Sequence, residues 1–260
     1  MQIKLVLLDV DGTLLPRGQK TTSKQVIAAA QQLQKAGIKV GIATGRNPLA
    51  LPQEVLGKLK PDYLICCNGA WLLDAKRNTL CTENMNEQEM YALVDYCEDF
   101  DYPLAFVYPE GYYCYVEYER MKAFYDGVGG FRGIVLDGED QDRHLEGMPL
   151  AAFCSMPQEA LAGFDAKYGH LGLRFMPYSS VNYDIGRQGV DKSVGLHHLL
   201  DRLELAPEQV AAVGDGANDI EMLQMAGLGA CMADGAPEAQ AAADVIVPTG
   251  GLADFLRGLL

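Results

Sequence analysis

The chain has 260 residues, enough for one large or two modest domains with a substantial buried core. Its formal net charge of −14, with no dense run of Lys or Arg, speaks against nucleic acid or an anionic membrane as partner, because such binders present a basic face. Seven cysteines, an odd number with no Cys-x-x-Cys spacing, point to reduced thiols and a cytoplasmic setting and give no zinc framework.

The N-terminal apolar stretch is broken by Lys4, Asp9 and Asp11 and carries no signal-peptide cleavage pattern. Nothing approaches the ~20 apolar residues of a membrane span. Ile3 to Leu8 reads as a strand that is apolar on both faces, which suits the centre of a parallel sheet covered by helices. It ends at Asp9-Val10-Asp11-Gly12-Thr13-Leu14. Ligands of open α/β sheets gather at the carboxyl ends of strands. Side chains alternate along a strand, so Asp9 and Asp11 are expected to aim both carboxylates at one ion or group, with Gly12 permitting a tight turn. Two other readings of Asp-x-Asp-Gly compete. One is turn chemistry alone. The other is a calcium loop, which needs further oxygen ligands and a Glu at its twelfth position, and Leu14 to Lys20 does not provide them.

Thr22-Ser23-Lys24-Gln25 resembles a capping box, opening a helix on Val26, Ile27, Ala30 and Leu33 that Gly37 closes. The strand Ile38 to Ala43 follows and ends at Thr44-Gly45-Arg46, where a hydroxyl and free backbone N–H groups at the head of the next helix make a phosphate cradle. Arg46 has two readings, contact with a leaving group or second phosphate and plain helix surface charge. A helix from about Asn47 to Leu59, then Pro61 and the strand Tyr63 to Cys67, completes a βαβαβ unit with right-handed crossovers. Cys66 and Cys67 are expected to pack within that strand. Trp71 to Leu73 and Leu80-Cys81 read as a hairpin.

Between about Thr82 and Arg187 the texture changes. Helices are expected at Glu87 to Asp99, near Glu119 to Tyr125 and at Gln158 to Lys167. Strands are expected at Leu104 to Tyr108, Tyr112 to Glu117, Leu150 to Ser155, Leu173 to Tyr178 and Val181 to Ile185. This reads as an α+β domain, residues 82–187, inserted into a doubly wound α/β domain made of residues 1–81 and 188–260. Gly127-Val128-Gly129-Gly130-Phe131-Arg132 breaks Gly-x-Gly-x-x-Gly at its last position and reads as a loop rather than a dinucleotide site. Tyr112, Tyr113, Tyr115 and Tyr118 read as packing residues ahead of a pocket for a ring-bearing substrate.

Strand-helix alternation resumes at Lys192, which stands between Gly189 and the apolar helix positions Val194, Leu196, Leu199 and Leu200. His197 and His198 on that helix lack the spaced partners of a metal site and read as structural or exposed. The strand Val210 to Val213 leads into Gly214-Asp215-Gly216-Ala217-Asn218-Asp219, a second acidic turn opening a helix. Asp215 and Asp219, four apart, can aim both carboxylates at one ion. A helix Asp219 to Ala226, a strand Leu228 to Met232, a helix near Pro237 to Ala242, a strand Val245 to Val247 and a helix Leu252 to Leu260 close the chain.

Taken in order, Asp9-Val10-Asp11-Gly12-Thr13, Thr44-Gly45-Arg46, Lys192 and Gly214-Asp215-Gly216-Ala217-Asn218-Asp219 resemble the four motifs of the haloacid dehalogenase-like hydrolase superfamily. The Asn68-Gly69-Ala70 turn and the Gly-Asp-Gly-x-Asn-Asp form are similar to those of its Cof-type phosphatases. The resemblance implies an α/β fold, a doubly wound parallel sheet with an inserted α+β cap. It also implies a Mg2+-dependent phosphatase acting on small phosphorylated metabolites such as sugar phosphates or pyridoxal phosphate. Asp9 would be the nucleophile and form an aspartyl phosphate, and Asp11 would carry the proton to the leaving group and from water. Magnesium would be held by the Asp9 carboxylate, the Asp11 backbone carbonyl and Asp215, with Asp219 orienting its waters. Thr44, the Gly45 amide, Lys192 and the Asn218 amide would hold phosphoryl oxygens. Two unit charges ~4 Å apart repel by about 4 kcal/mol at a typical effective dielectric, and the cation would offset that among the clustered carboxylates.

Alternatives in the same frame are a phosphomannomutase-like phosphosugar mutase, which shares the Asp-Val-Asp-Gly-Thr start, and an inactive binding protein. A phosphoacceptor signalling domain also clusters Asp, Thr and Lys around magnesium, but it is about half this length. The sequence specifies no oligomeric partner.

Overall fold

The computed structural model describes residues 2–126, 133–177 and 179–260, so the Gly127 to Arg132 stretch and the predicted strand end at Tyr178 lie outside the described residues. The chain divides into two compact units, one of residues 1–46, 51–81 and 191–260, the other of residues 47–50 and 82–190.

In the first unit β1 (Leu5–Leu8) is wholly buried, as its unbroken apolar run requires. Helix α1 (Lys24–Lys35) starts where the Ser23 hydroxyl accepts the Val26 N–H, and it buries Val26, Ile27, Ala29, Ala30 and Leu33. β2 (Lys39–Ala43) follows. The expected helix from Asn47 to Leu59 does not form. Its place is taken by a single 3-10 turn at Pro48–Ala50 and by the four-residue α2 (Gln53–Leu56). Pro52 is the cause, since a proline pushes the residue before it out of the helical region and carries no N–H to continue the ladder. β3 (Tyr63–Cys66) and β4 (Trp71–Asp74) are antiparallel, and β5 (Thr79–Thr82) neighbours β4 as the predicted hairpin. Cys66 lies in β3, whereas Cys67 belongs to the turn that follows.

The chain then builds the second unit: α3 (Glu87–Asp99), β6 (Leu104–Tyr108), β7 (Gly111–Val116), α4 (Tyr118–Asp126), β8 (Val135–Asp137), β9 (Ala151–Ser155), α5 (Gln158–Tyr168), β10 (Arg174–Pro177) and β11 (Asn182–Gly186). Its sheet runs β10-β11-β9-β6-β7-β8 and is antiparallel except for β7 beside β8. One face packs Phe106, Tyr108, Tyr115, Cys154 and Ile185 together with Leu93 and Tyr96 of α3 and Phe164 of α5. The Tyr96 hydroxyl donates to the Ala160 carbonyl at 2.6 Å and so ties α3 to α5. On the other face Phe124 and Tyr125 of α4 lie on Phe153. The tyrosines of β7 pack as expected: Tyr113 meets Tyr108 edge-on, Tyr115 meets Phe106, and Tyr112 meets Tyr125. The sequence boundaries shift slightly. Residues 188–190 belong to this unit, and so does the 47–50 turn, because the Asn47 amide donates to the Tyr108 carbonyl at 2.9 Å.

Returning to the first unit, α6 (Lys192–Leu203), β12 (Val210–Gly214), α7 (Ile220–Met225), β13 (Leu228–Met232), α8 (Pro237–Ala242), β14 (Val245–Val247) and α9 (Leu252–Arg257) complete it. The sheet order is β14-β13-β12-β1-β2-β3-β4-β5, with every pairing from β14 to β3 parallel. The fold is therefore a doubly wound α/β sheet, with strand order reversing about β1. Such a reversal opens a crevice at the carboxyl ends of the central strands. No helix of the described residues is long and apolar enough to cross a membrane.

The turn after β3 shows how tightly this crevice is fitted. Gly69 has a φ of 104°, and a Cβ there would overlap the Asp191 carbonyl at the entrance to α6. Gly69→Ala is expected to combine left-handed strain with a backbone clash and to lower stability by about 2 kcal/mol or more, read from urea unfolding.

Candidate active site

Register brings three segments level. Leu8 of β1 pairs with Ile42 of β2 and Val213 of β12, so Asp9, Ala43 and Gly214 each lie one residue beyond, at the same sheet edge. The Asp9 N–H donates to the Val213 carbonyl at 2.9 Å, extending the ladder up to the first carboxylate. Lys192 is the first residue of α6, fully buried, and its Nζ donates to Asp9 Oδ1 and to Asp219 Oδ1, both at 2.7 Å. The second oxygen of Asp219 accepts the backbone N–H groups of Asp215 at 3.0 Å and Gly216 at 2.9 Å. Both Asp219 oxygens are thus engaged within the chain, which makes it the brace of the turn carrying Asp215. Two glycines make room: a Cβ on Gly214 would overlap the Asp219 carboxylate, and one on Gly12 would overlap that of Asp215.

Electrostatics follow from burial. Burial pushes the Asp9 carboxyl well above its usual range, the charges of Asp219 and Asp215 add to this, and Lys192 opposes it. Asp215 is pushed up to about 6, by burial first and then by Asp219, with Lys192 and Arg17 acting the other way. Burial alone would lower the Lys192 ammonium, but Asp219 and Asp9 outweigh it and hold the group charged far above neutrality. Carboxylate oxygens of Asp9, Asp215 and Asp219 lie within 4.8 Å of one another, and Asp9 Oδ2 is buried without a hydrogen-bond partner. Three hard oxygen donors around an unpartnered carboxylate oxygen fit a divalent cation, whose charge would relieve the repulsion among them.

Asp11 does not join that cluster. Its carboxylate is gripped by Arg46 in a fork, Nε to Oδ2 at 2.7 Å and Nη2 to Oδ1 at 2.6 Å, and its side chain is 58% exposed. The expectation that Asp9 and Asp11 share a face fails because strand backbone ends at Leu8. Beyond it the chain turns, with Leu14 N–H on the Asp9 carbonyl, Leu15 N–H on that of Val10 and Gly12 N–H on that of Leu15. Strand alternation has no meaning across such a turn. Arg46 is here the counter-ion of Asp11.

Thr44 is buried, and its hydroxyl oxygen accepts the Arg46 N–H at 3.2 Å. The Asn218 amide donates to Asn68 Oδ1 at 2.9 Å, and the Asn68 N–H donates to the Thr44 carbonyl at 3.0 Å. Asn68 therefore links two of the motifs and was legible only as part of an Asn-Gly turn. A second residue that sequence reasoning passed over is Arg17. It lines a cleft of about 280 Å³ together with Asp11, Gln19, Arg46 and Asp215. Its sole signal was a cation in the loop after the acidic motif. His197 is exposed and faces Asp201 on its own helix, outside this site. All seven cysteines are free thiols, six of them buried. Burial raises Cys97 and Cys114 to about 12, so they are inert at neutral pH.

The family model for haloacid dehalogenase-like hydrolases matches residues 6–256, and the chain belongs to that family. A phosphoglycolate phosphatase of Methanopyrus kandleri is 29% identical over 262 residues, covering 98% of this chain and 97% of that protein. A pyridoxal phosphate phosphatase of Escherichia coli is 26% identical over 276 residues, covering 98% of each. Among solved structures, a phosphatase of the same enzyme superfamily from Bacteroides thetaiotaomicron aligns with a TM-score of 0.84 at 25% identity, over 99% of this chain and 95% of that one. The chain is a hydrolase of this family, and the relatives it resembles are named phosphatases.

Two measurements test the electrostatic reading. Lys192→Met should strand two buried carboxylates and lower stability by about 3–5 kcal/mol in urea unfolding at pH 8. In chelator, Asp215 binds its proton more tightly folded than unfolded, so its contribution to stability rises as pH falls from about 6 to its ordinary 3.8. Asp215→Asn should flatten the Tm profile across that window by removing a slope of at most about 1.4 kcal/mol per pH unit.

Proposed function

We propose that this chain hydrolyses small phosphate monoesters, such as sugar phosphates or pyridoxal phosphate, with Mg2+ and through an aspartyl phosphate on Asp9. The observation that carries the reading is the asymmetry of the Asp9 carboxylate: Oδ1 is fixed by Lys192 while Oδ2 is buried and unpartnered. A carboxylate pinned by one oxygen presents the other as a positioned nucleophile. Oδ2 attacks phosphorus, the bond from phosphorus to the alcohol oxygen breaks, and that oxygen takes a proton from Asp11. Water then attacks phosphorus, gives its proton to Asp11, and the bond to Asp9 breaks, returning the free carboxylate and inorganic phosphate.

Asp11 is suited to this exchange because its carboxylate is exposed and meets the protein through an ion pair that a leaving group can replace. The Thr44 hydroxyl, the Gly45 N–H, the Lys192 ammonium and the Asn218 amide hold the equatorial oxygens, so fixed positive potential is already in place as charge redistributes. Asp9, Asp215 and the Asp11 backbone carbonyl would hold Mg2+, which supplies charge neutralisation between the nucleophile and the dianionic phosphoryl group. Asp219 acts at one remove, holding Lys192 and the amides that aim Asp215. The second unit serves as the specificity cap. The reduced, mostly buried thiols support a cytoplasmic setting.

Release of inorganic phosphate from a panel of such esters, with Mg2+ and with chelator, tests the reading. Turnover should require Mg2+, and Asp9→Asn should abolish it, by about 10³-fold or more. Full metal-dependent turnover in Asp9→Asn would overturn the nucleophile assignment, and a sugar phosphate isomer in place of free phosphate would indicate a mutase.

A further inference from the structure

Of the cations around the site, two are committed to carboxylates. Lys192 lies between Asp9 and Asp219, and Arg46 is forked on Asp11. With a divalent ion present, these two side chains and the metal balance the four carboxylates of the site. That balance leaves none of these groups to neutralise a second anion on the substrate. Arg17 is the cation left over. Its side chain is exposed and acts on the site through its charge, favouring the ionised form of Asp215 across the cleft that both residues line.

Its place is set by the backbone. The Gln19 N–H donates to the Pro16 carbonyl at 2.9 Å, closing a turn in which Gly18 has φ +83°, so Arg17 occupies the second position of a type II turn. That turn is anchored to the acidic loop through the Asp11–Leu15 bridge and the Leu15 N–H on the Val10 carbonyl. The guanidinium therefore borders the same cleft as Asp11 and Asp215, and the cleft is built entirely from the first unit. In the proposed mechanism Asp11 serves the alcohol oxygen, so the alcohol moiety emerges where Asp11 borders this cleft.

We propose that Arg17 is a specificity residue, holding a second anionic group on the alcohol side of the ester, so that the preferred substrates are phosphate monoesters that also carry a carboxylate or another phosphate. This rests on the phosphatase reading above. A planar guanidinium with several N–H donors matches either anion in two-point fashion, and a partner in a cleft holds its charge better than one on open surface. In a chain of net charge −14, a doubly anionic ester is otherwise repelled, and one uncommitted cation beside the reaction centre gives it local attraction.

The test uses matched esters with the purified full chain and Mg2+. 3-Phosphoglycerate and glycerol 3-phosphate differ only by carboxylate against hydroxymethyl, while glucose 1,6-bisphosphate and glucose 1-phosphate differ by a second phosphate. The quantity read is the ratio of kcat/KM within each pair, for the wild type, Arg17→Gln and Arg17→Lys. The wild type should favour the doubly anionic member of at least one pair by about 10-fold, and the favoured pair identifies which anion is held. Arg17→Gln should bring that ratio to within about 2-fold of unity, mainly through KM, Arg17→Lys should keep part of it, and added salt should weaken it. A wild-type ratio near one in both pairs overturns the proposal. So does an Arg17→Gln variant that loses the same factor on both members, since Arg17 then serves the transferring phosphoryl group. No phosphate release from any ester under any condition would overturn the phosphatase reading itself, and this subsite with it.

Discussion

The site depends on one ammonium group. Lys192 is fully buried between the carboxylates of Asp9 and Asp219, and those three residues come from the end of β1, the start of α6 and the turn after β12. Taking an ammonium and two carboxylates out of water costs several kcal/mol for each ion, and only mutual pairing with further hydrogen bonds recovers it. Asp219 supplies those further bonds through its second oxygen, on the amides of Asp215 and Gly216. A single chain of contacts thus runs from Asp9 through Lys192 and Asp219 to the backbone that aims Asp215. Packing agrees with it at close range: side chains on Gly12 or Gly214 would fall on the carboxylates of Asp215 and Asp219. An arrangement this demanding contributes little to folding in itself, and its value lies in holding charged groups in fixed positions.

Most of the elements were legible in the sequence because their signals were local. The apolar runs of β1 and β6 and the capped periodicity of α1 and α3 each reflect burial of one face or both, and burial is what pattern reports. The acidic motifs were also local, since each follows a strand that the sheet must end. What failed depended on backbone beyond the pattern. Pro52 divides the expected 47–59 helix, and β8, three residues held parallel to β7, has neither the length nor the turn signals to announce itself. The pairing of Arg46 with Asp11 was illegible for a related reason. It depends on how the chain turns after Leu8, and strand alternation stops applying there. Arg17 had no periodicity at all, and a loop cation acquires meaning only when a cleft places it beside named groups.

The two aspartates of the first motif therefore divide by environment more than by type. Asp9 is buried, pinned by one oxygen and raised in proton affinity by desolvation, while Asp11 is more than half exposed and held in a fork by the Arg46 guanidinium. Those are different physical situations for the same carboxylate, and they match different tasks. A nucleophile must be held still at one distance from phosphorus, whereas a proton carrier has to meet an alcohol oxygen first and a water afterwards. A buried group pinned through one oxygen suits the first, and an exposed one with an exchangeable partner suits the second.

The same contrast bears on why the cation in the proposal falls to the loop. Any positive group able to meet a variable alcohol must lie outside the Lys192 network, because moving a member of that network would leave a buried charge uncompensated. Arg46 is closer to exposure but is already forked on Asp11, so an incoming anion would have to compete with that carboxylate for it. Arg17 carries neither burden. Its turn is held by backbone hydrogen bonds, so a side chain there can be exchanged without breaking a hydrogen bond of the Lys192 network. Substrate preference on the core side of such an enzyme can thus be carried by one exposed loop side chain, while the buried ion network remains the same.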